Sequence, residues 1–289
     1  MVSGAIGLAV IFHAFDRPGP LGGPAIVVIP KGKGMGPIAD ILEKHGVISS
    51  KFIFMAGVRL TGNQGRLKAG EFEFPAGGSP RRVMEVLIGG ETVVRKLTVP
   101  EGSTTAQVVT LLHGAYGLKG ELPRTPEEGS LLPDTYYYSY GDERHELVSR
   151  MEQAMVDITT RLWPNRAPDL PLNSPQDAII LASIVERETG VSGERPLIAG
   201  VFYNRLKRGM PLQSDPTVAY GVAIKEAIPD RVLRRPLTRS DLSAPSPYNT
   251  YLNKGLPPHP IANPGRASIE AVMQPASTKA LYFVADGNG

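Results

Sequence analysis

The sequence predicts an α+β protein assembled from short mixed units, and three observations carry that prediction. A strand-like run leading into an amphipathic helix occurs twice with the same Pro-x-Gly punctuation. Val28-Ile29-Pro30-Lys31-Gly32 precedes ADILEKHGVI, and Thr98-Val99-Pro100-Glu101-Gly102 precedes AQVVTLLHGAYGL, an internal repeat that would serve as a spacer or as a binding module. Leu147, Met151, Met155, Ile158 and Leu162 fall at helical spacing and predict a long helix from about Glu143 to Trp163. Beyond it, polar Pro-rich loops alternate with helices. At 289 residues the chain is long enough for about two domains, each with its own core.

The other elements follow in order. Val2 to Phe15 is apolar except for Ser3 and His13 and is then broken by FDRPGPLGGP. It is short for a bilayer span, which takes about 20 residues, and reads as the C-terminal part of a membrane anchor, with a buried core segment as the alternative. AIVVI from Ala25 is a strand, and Ile38, Ile41 and Leu42 share one face of a helix that Gly46 ends. A second helix follows at about Ser50 to Val58, AGEFEF (Ala69 to Phe74) alternates as a strand does, and Ser79 caps a helix through Leu87. Tyr136, Tyr137, Tyr138 and Tyr140 sit just before the long helix. Such a cluster suits strand and core packing, or stacking against carbohydrate. Ser174-Pro175 is a helix start, a short helix spans about Ser268 to Met273, and Ala280 to Ala285 reads as a last strand.

Composition excludes several chemistries. With no cysteine there is no disulfide, zinc-thiolate site or cysteine nucleophile. The five histidines are scattered without an HExxH pair, so neither a metal nor another cofactor is expected. The +3 formal charge, 31 basic against 28 acidic residues, comes with no basic run or nucleic-acid motif, and no nucleic-acid partner is expected. A serine nucleophile would need a GxSxG or a neighbouring histidine, and Ser183 has neither.

The densest chemistry lies between Leu181 and Gly221. Leu181, Ile184, Val185 and Glu188 occupy positions i, i+3, i+4 and i+7 on one helix stripe, whereas Glu186 points elsewhere. A carboxyl on an apolar stripe is hard to ionise, as a general acid near neutral pH requires. The competing reading of the same spacing is a glutamate paired with Arg187, Arg195 or Arg205 on a solvated face. Downstream, Gln213, Ser214, Asp215, Thr217 and Tyr220 gather amide, hydroxyl, carboxylate and phenol groups within eight positions, although Asp215-Pro216 is also a good helix cap. A rigid loop then supplies Tyr248, Asn249, Tyr251 and Asn263 as groove candidates. Such groups, without a phosphate-binding glycine loop, favour glycosidic-bond chemistry. Hydrolysis usually takes two carboxylates. Glu188 has only Asp215 as a partner, and if Asp215 is a cap, one residue serves as both acid and base, with a hydroxyl of the sugar attacking in place of water.

The runs ASIVERETG, VFYNRLKRGMPLQSDPTVAYG, YNTY, GLPPHPIANPG and LYFVADGNG, with PDTY at Pro133 to Tyr136 and VPEG at Val99 to Gly102, resemble the YceG-like (MltG) family of endolytic murein transglycosylases. The resemblance covers nearly the whole chain from about Ala25. It implies a partial membrane anchor and linker over 1–24, a small LysM-like α/β region over 25–125, and a mixed α+β catalytic domain over 126–289 whose C-terminal tail is missing. It implies a single-pass protein of the bacterial inner membrane with its catalytic part in the periplasm. Its substrate would be nascent peptidoglycan strands, with cell-wall synthases as possible partners. Glu188 would cleave MurNAc-β-1,4-GlcNAc bonds to leave 1,6-anhydro-MurNAc ends, while Gln213, Ser214, Asp215, Thr217, Tyr220, Tyr248, Asn249, Tyr251 and Asn263 would bind the sugar. A hydrolytic muramidase and a non-catalytic peptidoglycan-binding scaffold are the alternatives.

Overall fold

Alternation at GEFEF and helical spacing from Leu147 to Leu162 become a strand and a helix in the computed structural model, which describes residues 2–283. The elements run α1 (Val2–Asp16), β1 (Ala25–Ile29), α2 (Met35–Lys44), α3 (Lys51–Leu60), β2 (Gly70–Phe74), α4 (Pro80–Gly89), β3 (Val94–Thr98), α5 (Thr105–Gly114) and β4 (Thr135–Ser139). There follow α6 (Arg144–Leu162), α7 (Pro175–Glu188), α8 (Arg195–Lys207), α9 (Asp215–Lys225), α10 (Arg239–Ser243) and α11 (Arg266–Met273). Two small two-stranded sheets, β1-β2 and β3-β4, among many helices make this a mixed α+β chain.

The chain divides into two compact units. Residues up to Arg95, with 116–118 and 137–142, form the first; Lys96–Ala115, 119–136 and the rest from Glu143 form the second. The division therefore falls near residue 95, not at 125. The reason is the second Pro-x-Gly turn, whose Gly102 N–H donates to Asn263 O at 3.0 Å while Asn263 N–H donates to Ser103 O at 2.9 Å, tying it into the second unit.

In the first unit β1 and β2 pair antiparallel, Ala25 opposite Phe74 and Ile29 opposite Gly70, which puts Val27, Ile29, Phe72 and Phe74 in the core. Ser50 and Ser79 cap α3 and α4, accepting from Ile53 N–H at 3.5 Å and Arg82 N–H at 3.2 Å. On the other face of β2, buried Glu71 takes a fork from Arg95, with Nη2 to Oε1 at 2.7 Å and Nε to Oε2 at 2.9 Å. The first segment, read as an anchor end or a buried core piece, is helix α1, and only its end enters the core. Phe15 is fully buried against α3, where a Cβ at Gly57 would lie 2.3 Å from its ring, yet Ile6, Val10 and Phe12 on the same helix are exposed. No described helix is long and apolar enough to cross a membrane.

The second unit is built on α7, α8 and α11, whose buried faces form one core with Leu132, Met155 and Ile158. Tyr203 on α8 donates to Val272 O on α11 at 2.8 Å. The expected last strand is not formed by residues 280–283. That segment lies along α8, with Asn204 Nδ2 donating to Ala280 O at 2.9 Å and Arg205 Nε to Leu281 O at 2.6 Å; Val284 and Ala285 fall outside the described residues. Tyr136, Tyr137 and Tyr138 lie in strand β4, with Tyr138 buried and Tyr136 donating to Leu132 O at 2.6 Å, and Tyr140 follows the strand.

Phe15→Ala empties a buried site between α1 and α3. Urea unfolding of this variant is expected to show a loss of about 3–5 kcal/mol; a loss near zero would remove α1 from the core.

Candidate active site

Helix α7 starts with Ser174 as N-cap, accepting from Asp177 N–H at 3.2 Å, and Pro175 in its first turn. Every residue from Ala178 to Val185 is buried, so the predicted stripe is one part of a helix covered all round. Glu188 is its last residue. There the unsatisfied carbonyls make the helix end electronegative and disfavour a carboxylate. Thr189 turns extended, with φ −143°, and ends the helix.

Glu188 is partly buried and meets the loop after α8. Its Oε1 accepts from Ser214 Oγ, and Oε2 has no protein partner among the described residues. The proton of a neutral Glu188 therefore belongs on Oε2, because Oε1 already receives one. Ser214, 1% exposed, stands at the N-cap position of α9, yet its hydroxyl caps no helix N–H and is turned to Glu188 instead. Asp215 is thus not the cap but the first residue of the helix. The Ser214 backbone is itself held from two sides. Its N–H donates to Thr250 Oγ1 at 3.0 Å, its carbonyl accepts from Thr217 Oγ1 at 2.7 Å, and the Thr217 and Thr250 hydroxyls lie 2.9 Å apart.

Two loops meet here. Gln213 N–H donates to Thr250 O at 3.0 Å, and Pro211 bridges antiparallel to Lys254. Gln213 holds a left-handed φ of 50°, which is uncommon outside glycine, and is exposed, its Oε1 accepting from Arg205 Nη1 at 3.5 Å. Asp215 is exposed and accepts from Tyr251 Oη at 2.6 Å. Asp215 and half-buried Tyr251 thus reach solvent within electrostatic range of Glu188.

Burial lifts the Glu188 carboxyl above the usual glutamate range. The Ser214 hydrogen bond opposes that shift, the Asp215 charge adds to it, and the Arg205 charge opposes it. Burial and the hydrogen bond to Asp215 push the Tyr251 phenol up to about 12, so it remains a donor at neutral pH. Arg205 forms no ion pair with Glu188: its Nη1 donates to Leu212 O at 2.6 Å.

Glu186 has the opposite role. Its side chain is 4% exposed and pairs at 2.9 Å with Arg195, itself 6% exposed, while Gly265 N–H donates to its Oε2 at 2.8 Å. Arg195 also reaches Glu101 of the second Pro-x-Gly turn at 3.3 Å. The salt-bridged glutamate allowed by the sequence exists, but it is Glu186, and it is buried.

Not every sequence candidate faces the groove. Asn249 and Asn263 are fully buried. Asn249 Nδ2 donates to Leu242 O and Ala244 O at 2.9 Å each, and its Oδ1 accepts from Tyr251 N–H at 3.0 Å. Asn263 Oδ1 accepts from Leu131 N–H at 2.9 Å and its Nδ2 donates to Ser103 O at 3.0 Å. Both amides tie loops together instead of lining a surface. Ser214 and Thr217 are likewise internal supports, and Tyr220 is buried edge-on to half-buried Tyr248 at 5.1 Å. Ser183 is buried and donates to Ile180 O at 2.7 Å, which rules it out as a nucleophile.

One half-buried carboxyl had no sequence signal. Glu128 takes hydrogen bonds from Thr105 N–H at 2.7 Å and Tyr220 Oη at 2.9 Å, and burial raises its pKa. Its partners are scattered along the chain, so no local motif announces it. A cavity of about 500 Å³ opens beside Asp215 and Arg187. Among the described residues no cluster could hold a metal ion.

The YceG-like family profile matches residues 27–289. The chain belongs to the YceG-like family. Among its YceG-like relatives, a Bacillus subtilis protein named endolytic murein transglycosylase is 34% identical over 90% of this chain and 78% of its own length. A Streptococcus pneumoniae protein of the same name is 30% identical over 90% of this chain, which spans only 54% of that longer relative. The crystal structure of a YceG-like protein from Listeria monocytogenes is 30% identical, covers 91% of this chain and 94% of its own, and superposes with a TM-score of 0.56.

Neighbouring substitutions on α7 are expected to act in opposite directions. Glu186→Gln leaves Arg195 with weakened compensation inside the fold and is expected to cost up to about 3–5 kcal/mol. Glu188→Gln removes a carboxyl whose folded-state pKa is raised, which destabilises the fold increasingly as pH rises above the unfolded glutamate value. Its melting temperature should therefore exceed the wild type's at pH 7, by about 2–4 °C for each kcal/mol relieved, and match it below pH 4. Thermal melts across pH check both signs.

Proposed function

We propose that this protein is a peptidoglycan lytic endotransglycosylase that cuts MurNAc-β-1,4-GlcNAc bonds within nascent glycan strands. The observation that carries the proposal is Glu188, a carboxyl held partly dry at a helix end, with Oε1 fixed by Ser214 and Oε2 left to carry a proton. Membership of the YceG-like family and the names of its relatives supply the polymer.

In the first step Glu188 gives its Oε2 proton to the glycosidic oxygen on C4 of GlcNAc as the bond to muramyl C1 breaks. The muramyl 6-hydroxyl oxygen then bonds to C1, and the Glu188 carboxylate takes the hydroxyl proton. The acid is restored, a 1,6-anhydro-MurNAc end forms, and no water is consumed. The raised pKa suits the first role, and a carboxylate returned to a poorly solvated site is a strong base for the second. Positive charge develops at C1 in the transition state, where Asp215, held by Tyr251, offers a fixed negative charge. Gln213 and Tyr251 are the polar groups best placed to orient the sugar; Ser214, Thr217, Thr250, Asn249 and Asn263 position the loops.

We further place the first unit as a LysM-like glycan-binding region and α1, with its exposed Ile6, Val10 and Phe12, as the membrane-proximal end of a single-pass inner-membrane anchor. The second unit would then face the periplasm, where strand cleavage ends elongation by cell-wall synthases.

Digestion of purified glycan strands followed by mass spectrometry tests the chemistry. Anhydro ends with no gain of water are expected, and Glu188→Gln should lower turnover by at least about 10²–10⁴-fold, the range of a lost general acid, while keeping a cooperative melt. Reducing ends, heavier by one water, would mean a muramidase. Binding to sacculi with no release from wild type would mean a scaffold.

A further inference from the structure

The cavity of about 500 Å³ next to the acid has a chemistry that sugar cleavage does not use. Arg187 and Arg231 both line it, together with Asp215, Thr104, Val232 and Leu237. Arg187 lies between Glu186 and Glu188 on the last turn of α7, and Asp215 belongs both to this cavity and to the surroundings of Glu188. The cavity is therefore continuous with the acid's own neighbourhood.

Among the described residues neither guanidinium forms an ion pair. Arg187 makes a single long contact, Nη1 to Gly102 O at 3.5 Å, and Arg231 makes no side-chain hydrogen bond among the described residues. Their neighbours differ. Arg195 pairs with Glu186 and Glu101, Arg234 with Asp230, and Arg235 with Glu226 and Asp241. Arg231 is within electrostatic reach of Glu128, but the Glu128 oxygens are taken by Thr105 and Tyr220, and burial favours that carboxyl's neutral form. The turn that presents Arg231 holds its backbone at a φ of 57°, a left-handed conformation uncommon for a residue with a side chain.

Two unpaired guanidiniums facing one concavity fit carboxylates, which they bind in forked geometry. The cavity's size falls within the range of small-ligand sites, about 300–1,000 Å³. Its remaining wall is largely aliphatic, with Ala219, Val232, Leu233 and Leu237 suited to small apolar side chains. A carboxylate-bearing peptide with short apolar residues combines both requirements. In a murein strand such a peptide hangs from the muramyl residue itself, one substituent away from the bond being cut.

Resting on the function proposed above, we infer that Arg187 and Arg231 form a subsite for the acidic peptide carried by the muramyl residue, so that the enzyme selects peptide-bearing strands over bare glycan. Asp215 at the cavity's edge sets the polarity, turning the carboxylates toward the arginines and away from C1.

The test compares glycan strands carrying their peptides with the same strands stripped by an amidase, each cut by wild type, Arg231→Gln and Arg187→Gln. Wild type is expected to favour peptide-bearing strands by at least tenfold in kcat/KM, through KM. Each variant should bring that ratio down toward one, and Arg231→Lys should restore part of it. A wild-type ratio of one, or a ratio unchanged in both variants, overturns the subsite. If wild type cuts neither substrate, the cleavage reading fails separately, and binding of the two strand types to Glu188→Gln decides the subsite. An Arg231-dependent preference for peptide-bearing strands upholds it, and equal binding overturns it.

Discussion

The second unit is arranged so that one carboxyl stays partly out of water at the end of a buried helix. Everything around Glu188 bears on that constraint. The middle of helix α7 is covered on all sides, its last turn carries the negative end of the peptide dipoles, and the loop bearing Ser214 closes against it. A serine at a helix N-cap would ordinarily stabilise α9 by about 0.5–2 kcal/mol. Here its hydroxyl goes to the glutamate instead. Local stability gives way at the position where chemistry is proposed, as functional sites commonly do.

Glu186 and Glu188 lie two residues apart on one helix and have different fates because their partners differ. Glu186 finds Arg195 and a backbone N–H and, through Arg195, ties α7 to α8 and the Pro-x-Gly turn. Glu188 meets a hydroxyl and, nearby, a second carboxylate, both of which leave protonation open. The Glu101 turn, which the repeat left open as spacer or binding module, sets the far end of this tie.

Much of this was legible in the sequence, and the rest was hidden for physical reasons. Ser174-Pro175 marked the start of the helix that carries both glutamates, because a cap and a first-turn proline are local signals; the stripe that set Glu188 inward and Glu186 elsewhere did not foresee that the Glu186 side chain, only 4% exposed, is buried as well. The motifs from Val185 to Gly221 pointed to the family that the comparisons found. Spacing could not show that α7 is buried all round, since Ser183 looks polar until its hydroxyl is seen bonded to Ile180 O. Asn249 and Asn263 resembled groove residues because an amide that holds a loop and one that holds a sugar are the same side chain; only burial tells them apart. Glu128 was invisible for a related reason, as its partners Thr105 and Tyr220 come from far along the chain.

A carboxyl whose pKa is raised by its surroundings is the centre of the proposed chemistry, and it can be watched directly. Carbon-13 NMR of side-chain carboxyls in glutamate-labelled protein, with Glu188→Gln to assign the signal, gives the Glu188 titration. Its midpoint should lie above the ordinary glutamate value, rise further in Ser214→Ala and fall in Asp215→Asn. A midpoint at or below the ordinary value, unmoved by either substitution, would mean that Glu188 is a solvated carboxylate and not the acid.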